Sequence, residues 1–191
     1  MRLTAIILTL AGSALALPVV EPIEPAFTAV THSGSGCPQD TSVESIDGGK
    51  SYKIHGFSSR APGPDTTQNC ALHLNAGGQS KLQLSLKHAT VRAHGYFPSG
   101  AGLTYYLTNF WTSQPANTGT TSGTWTNSGG TINGPLVVEI EVPADERVWS
   151  KCGETDIMNP NFRVVLQDTG YYGTRNSVVT TESLTYVWRE C

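Results

Sequence analysis

In the stretch VVEIEV, Glu139 and Glu141 are two carboxylates separated by a single residue. On a β-strand they share one face at a spacing of about 6.5–7 Å. Paired carboxylates roughly 5–10 Å apart are what glycoside hydrolysis uses, so this pair is where a hydrolase would keep its acid and base. The opposite set, Leu136, Val138, Ile140 and Val142, also fits an antiparallel strand with one wet and one buried face. Nothing nearby distinguishes the two acids, and a non-catalytic chain is the expectation.

Four histidines, His55, His73, His88 and His94, fall close together in the chain. A copper or zinc site would need His73 to converge with His88 or His94 from different strands. No H-x-H or H-x-x-x-H spacing supports that convergence. His73 lies opposite the Leu72 and Leu74 face, and His88 and His94 share a face only if a strand irregularity lies elsewhere. Isolated surface or edge histidines are the expectation, with no metal and no cofactor. No G-x-S-x-G nucleophile motif is present.

A third candidate is the polar run FWTSQPANTGTTSGTWTNSGGTINGP over 110–135, which holds Trp111 and Trp125 among Thr, Asn and Gly. Exposed aromatics flanked by hydroxyl and amide groups stack on sugar rings and bond their hydroxyls. Tyr171 and Tyr172 extend the same reading, so these four aromatics are the candidate glycan contacts. The competing meaning is a strand–turn–strand segment whose tryptophans fill the core.

Strands must position all of these groups, because the apolar residues recur with period two and turn residues separate the runs. SVESIDGGKSYKIHGF reads as a hairpin turned by Asp47, Gly48 and Gly49. CALHL sets Cys70, Leu72 and Leu74 on one side. In KLQLSLKHATVRAHGYF the inward set changes from Leu82, Leu84 and Leu86 to Ala89, Val91 and Ala93. That change of phase requires a bulge or bend near Lys87 and His88. LTYYLTNFW, PLVVEIEVP, NFRVVLQD and VVTTESLTYVW continue the alternation, and no window shows a helical apolar stripe. The predicted fold is all-β: an antiparallel β-sandwich, jelly-roll-like, in one domain.

The N-terminus combines Arg2, an apolar run and the triplet Ala14-Leu15-Ala16, the pattern of a secretory signal peptide cleaved after residue 16. Residues 17–36 are rich in Pro, Ser and Gly and read as a flexible leader, with the folded domain over 37–191. The 191 residues carry 12 Lys and Arg against 15 Asp and Glu, a net charge of −3. With no basic cluster, neither nucleic acid nor an anionic membrane is an expected partner. A cell-wall glycan or a host surface component is.

Export places four cysteines in an oxidising compartment, where an even count favours disulfides. Four cysteines allow three pairings, and their grouping along the chain favours Cys37–Cys70 and Cys152–Cys191. No two lie at the short spacing of a zinc site. The second pair sits in a doubled phrase, VWSKC at 148–152 and VWREC at 187–191, read as two ends of one staple with each Trp packed near its sulfur.

Five motifs stand in order: GSGCP at 34–38, NCALHLN at 69–75, VWSKCG at 148–153, an N-x-N-F-R-V-x-L strand at 159–166 and a terminal W-R-x-C. In this order they resemble the fungal secreted family called domain of unknown function 4360. The chain departs from the family pattern in having four cysteines where many relatives carry an extra pair. The resemblance implies secretion and a disulfide-stapled single domain, and it supplies no reaction.

Overall fold

Strands whose side chains alternate between apolar and polar leave each sheet with one face to hide, and two such sheets hide them against each other. The computed structural model describes residues 25–191. The expected signal peptide, 1–16, and the first part of the 17–36 leader lie outside the described residues. Thirteen strands pair into two antiparallel sheets with no α-helix among the described residues. The first sheet runs in the order β1 (Phe27–Ser33), β5 (Thr67–Ala76), β11 (Asn161–Gln167), β7 (Gly102–Phe110) and β8 (Thr118–Thr126), with β10 (Asp156–Met158) also on β5. The second runs β2 (Val43–Ile46), β3 (Ser51–Ile54), β13 (Thr180–Glu190), β6 (Leu82–Phe97), β12 (Gly170–Gly173) and β4 (Ser58–Ala61). Strand β9 (Ile132–Glu141) covers the other edge of β6.

The β2–β3 hairpin turns through Asp47 (φ 54°), Gly48 (φ 66°) and Gly49 (φ 90°), all in the left-handed region that tight turns require. In β6 the register against β13 passes from Leu86 opposite Tyr186 to His88 opposite Thr185, so Lys87 is the extra residue of a bulge. The bulge keeps Leu84 and Leu86 buried on one side of it and Ala89, Val91 and Ala93 buried on the other. Together with Leu72, Leu74, Phe162 and Val164 of the first sheet they form one core. Phe57 and Phe162, with ring centroids 5.8 Å apart, and Phe162 and Tyr172, 6.3 Å apart, join its aromatic part.

One expectation needs correcting at the N-terminal side. Residues 27–33, inside the segment read as flexible leader, form β1 and pair with β5 over Phe27–Ala76 to Ser33–Ala71. Small, polar residues suit an edge strand that needs only backbone bonds from its neighbour.

Both disulfides form as the local pairing predicts. Cys37–Cys70 is buried and ties the chain after β1 to β5, and Cys152–Cys191 closes a separation of 39 residues. The two V-W-x-x-C phrases are not equivalent. Residues 148–153 run beside the start of β6, with Ser150 N–H on the Leu84 carbonyl (2.9 Å) and Gly153 N–H on that of Leu82 (3.1 Å). On the opposite edge Cys191 N–H reaches the Lys81 carbonyl (3.0 Å). The bridge therefore joins the two neighbours of one strand. Between the phrases the Arg189 guanidinium lies 4.1 Å from the centre of the Trp149 ring, while Trp188 packs on the core. The staple is real; the ring contact that accompanies it is Arg189 on Trp149, a cation on an aromatic face.

Glu182 is the one buried carboxylate among the described residues. It sits in β13 directly between Tyr52 of β3 and Val91 of β6, is fully buried, and neither carboxyl oxygen has a hydrogen-bond partner. Burial penalises its charged form and lifts its pKa from 4.5 to about 8. Because the folded value lies above the unfolded one, the contribution to stability is complete below pH 4.5 and declines as pH rises toward 8. The gap between 4.5 and about 8 corresponds to roughly 5 kcal/mol.

Two outcomes follow for the fold. Wild-type protein loses several kcal/mol relative to Glu182→Gln between pH 4 and pH 8, measured by urea unfolding across that range, because the amide cannot ionise. Cys191→Ser costs about 2–4 kcal/mol, whereas Arg189→Ala costs no more than about 1 kcal/mol; thermal unfolding of both variants separates staple from ring contact.

Candidate functional site

Sheet register alone builds a polar row on the outer face of the second sheet. Tyr171 of β12 is paired with Arg60 of β4 on one side and Tyr96 of β6 on the other, and Tyr96 is paired in turn with Asn133 of β9. Arg60, Tyr171, Tyr96 and Asn133 therefore form one row across four strands, with neighbours about 4.8 Å apart. The bulge at Lys87 sets the phase that turns Tyr96 outward.

Beyond β12 the chain doubles back through Asn176 (φ 50°) and Ser177 (φ 67°), a two-residue turn in left-handed conformation. Mutual backbone bonds between Arg175 and Val178, 3.0 and 2.9 Å, fix its root. This places the Arg175 guanidinium 5.4 Å from the Tyr171 ring centre, with that of Arg60 at 6.0 Å. Gly173 admits no side chain, since a Cβ there would lie 2.4 Å from the Phe57 carbonyl oxygen, and β12 fits tightly between its neighbours. The Tyr171 hydroxyl donates to the Thr174 carbonyl (2.6 Å). Burial raises its pKa, against the opposing pull of Arg175 and Arg60.

The row and the turn enclose a hollow of about 260 Å³ lined by Arg60, Tyr96, Tyr171 and Arg175 together with Ala61, Thr169 and Gly170. At Thr169 it meets a second hollow of about 380 Å³, lined by Pro98, Ser99, Gly100, Ala101 and Asp168. Asp168 is the single carboxylate on either wall. Among the described residues neither Arg60 nor Arg175 forms an ion pair with an acid, and the Tyr96 hydroxyl has no side-chain partner, so their donors face the hollow unspent.

The residues singled out from sequence fall in several places. Trp111 is 1% exposed, with its indole N–H donating to the Val148 carbonyl (3.2 Å), and Tyr172 is fully buried, donating to the Val91 carbonyl (2.9 Å). Both are core residues and offer no face to a sugar. Trp125 is half-buried, edge-on to Phe97 at 5.1 Å. Of the four aromatics only Tyr171, 7% exposed, reaches the hollow. The polar run containing the tryptophans presents instead Thr118, Thr120, Ser122, Thr124 and Thr126 on the outer side of β8. Two of those hydroxyls bond to threonines of the neighbouring strand β7, in Thr104–Thr124 and Thr108–Thr120, both 3.1 Å.

Glu139 and Glu141 share the outer face of β9 over the buried Val138, Ile140 and Val142. Glu139 accepts from Thr90 Oγ1 (2.8 Å) and from His88 Nε2 (2.9 Å), and Glu141 lies 3.6 Å from Arg147. Neither acid lines the hollows. The histidines do not converge. His73 is in the first sheet, between Ser33 Oγ (2.9 Å) and Asn159 Oδ1 (2.6 Å). The bulge precedes His88, so His88 and His94 do share the outer face of β6, yet they bond to different partners, Glu139 and Asn133. No group of three or more metal-ligating side chains forms among the described residues.

Arg60, Tyr96, Asn133 and Arg175 were not singled out from sequence. The available signals were the outward phase of Tyr96 after the bulge and the Asn176-Ser177 turn; the pairing of β4 with β12 is a long-range contact with no local mark.

Two packed antiparallel sheets joined internally by two disulfides define a β-sandwich with a shallow donor-lined groove at one end. The chain belongs to the family described as a domain of unknown function (DUF4360), whose model matches residues 24–191. Among solved structures it is similar to TmCBM61 in complex with β-1,4-galactotriose, at 10% identity and a TM-score of 0.30, covering 87% of this chain and 91% of that one. A likeness of that degree transfers no ligand and no site. No curated protein matches the chain.

Removing buried aromatic rings from this sandwich separates core from surface. Trp111→Ala costs about 3–5 kcal/mol in urea unfolding, whereas Tyr96→Ala, at a half-buried outer position, costs less than half as much.

Proposed function

We propose that this is a secreted, non-catalytic protein that binds glycan through the end groove lined by Tyr96, Tyr171, Arg60 and Arg175. The observation that carries the reading is the set of unspent donors around a ring-sized hollow: two guanidinium groups and a phenol hydroxyl, with aromatic carbon beside them. Hydroxyl-rich ligands bind in such places, through a few convergent polar groups against apolar wall. Two disulfides fit folding in an oxidising compartment. Secretion follows in this reading from residues 1–16 as a signal peptide, with the folded part beginning ahead of Cys37 at β1.

Catalysis finds less support. Asp168 stands alone in the groove, while glycoside hydrolysis uses two carboxylates. Glu139 and Glu141 are the pair on which a hydrolase reading rests, and they lie outside it, each beside a basic side chain.

Titration calorimetry against a panel of soluble plant and microbial wall polysaccharides tests this. Binding to at least one of them is expected, weakened tenfold or more by Tyr96→Ala, with wild-type affinity in Glu139→Gln and Glu141→Gln. Absence of binding across the panel removes the reading. Reducing-end release that disappears in either Glu variant replaces it with the hydrolase.

A further inference from the structure

Resting on the groove as the glycan site, we infer that the Arg60–Arg175 hollow selects an acidic sugar residue and holds its carboxylate. The two guanidinium groups come from different parts of the chain, one from β4 and one from the β12–β13 turn, and reach the same Tyr171 ring at 6.0 and 5.4 Å. Both side chains line the same hollow, and cations that share a hollow are usually offset by a neighbouring acid. Here no acid among the described residues pairs with either. Arginine's planar fork matches a carboxylate with two parallel bonds and remains charged at any physiological pH. The hollow therefore carries a positive charge that does not titrate away.

The surrounding chemistry limits the ligand further. The protein as a whole carries a net charge of −3, so it does not attract polyanions indiscriminately; the positive potential is local to this hollow. Asp168 in the adjoining hollow repels a second anionic unit, which favours a single uronic acid next to a neutral sugar over a uniformly charged polymer. Tyr96 supplies aromatic surface for a ring, and the second hollow, which shares Thr169 with the first, gives a second unit somewhere to lie. An acidic peptide shares the carboxylate and lacks the ring and hydroxyls that the groove also offers.

A disaccharide of one uronic acid and one neutral hexose, compared with the same disaccharide after reduction of its carboxyl to the alcohol, tests the assignment. The acidic form binds at least about tenfold more tightly, the strength of a charge-assisted bond. Its advantage shrinks from 20 to 500 mM NaCl as the screening length shortens and the charges reach less far. Arg60→Gln and Arg175→Gln each remove most of the preference, lowering affinity for the acidic form severalfold more than affinity for the reduced form, with only a small drop in melting temperature from the lost contact with the Tyr171 ring. Equal binding of the two forms overturns the acidic selectivity and leaves the groove as a neutral glycan site. A preference retained in both Arg variants places the anion elsewhere and overturns the assignment. Binding of a glutamyl dipeptide as tight as the acidic disaccharide replaces the sugar with a peptide carboxylate. Failure of both disaccharides to bind while a longer neutral polysaccharide binds at the groove overturns this inference alone; failure of every glycan removes the groove reading with it.

Discussion

One residue inserted into β6 sets the phase of the whole second sheet. Without the bulge at Lys87, either Leu84 and Leu86 or Ala89, Val91 and Ala93 would turn to solvent, because a one-residue slip moves every side chain to the opposite face. With it, the strand keeps its apolar side inward along its full length. Strands β9, β13 and β12 all pair with β6, so they inherit that phase. The outward set of Glu139, Glu141 and Tyr96 and the inward position of Glu182 are consequences of the same insertion.

Local patterns are what the sequence expresses well, and they carried most of the sandwich. The DGG turn, the alternation around Cys70, the change of phase at Lys87 and both disulfide pairings are each written within a few residues or in the spacing of the cysteines. What escaped is set by contacts between distant segments. β1 has no apolar alternation because an edge strand is held by backbone bonds, which any residue supplies. Trp111 and Trp125 stand in a polar run, and only the fold shows that the first ends β7 under the 148–153 segment. The row from Arg60 to Asn133 exists through three pairings, among β4, β12, β6 and β9, the widest of which joins Arg60 to Tyr171 across more than a hundred residues of sequence; no local spacing announces it. Glu182 was legible in principle, since it shares parity with Leu184 and Trp188 in β13, an inward register for a carboxyl.

The distribution of unpaired ionisable groups runs against ordinary protein economy. Charges are usually kept in water and matched, with buried ones neutralised by a partner or a shifted pKa. In this sandwich the interior acid takes the second course: Glu182, lacking a cation, is held neutral by burial. The outer arginines have water available and no acid. His94 shows the intermediate solution. It is 4% exposed on the outer face, and it gives Nε2–H to Asn133 Oδ1 at 3.0 Å, which holds the amide at the end of the Arg60 row. The polar residues around the groove are thus divided into those that fix its shape, His94, Asn133 and the Tyr171 hydroxyl, and those left with donors to offer.

These two unmatched features bound a common range of pH. Folding is strongest while Glu182 is neutral, and that advantage declines between pH 4.5 and about 8. The groove behaves differently, because arginine stays protonated throughout and only the ligand titrates. A sugar carboxyl with an ordinary pKa, about 3.5–4, is ionised above that value. The acidic-sugar site is then fully charged on both sides from roughly pH 4.5 upward, while the scaffold loses stability with each further unit of alkalinity. Mildly acidic surroundings are the conditions in which a buried acid that must stay protonated and a bound acid that must be ionised coexist, since the first is shielded from water and the second is paired with two cations. The two carboxyls, the protein's own Glu182 in the interior and the ligand's in the groove, lie on opposite sides of the same sheet.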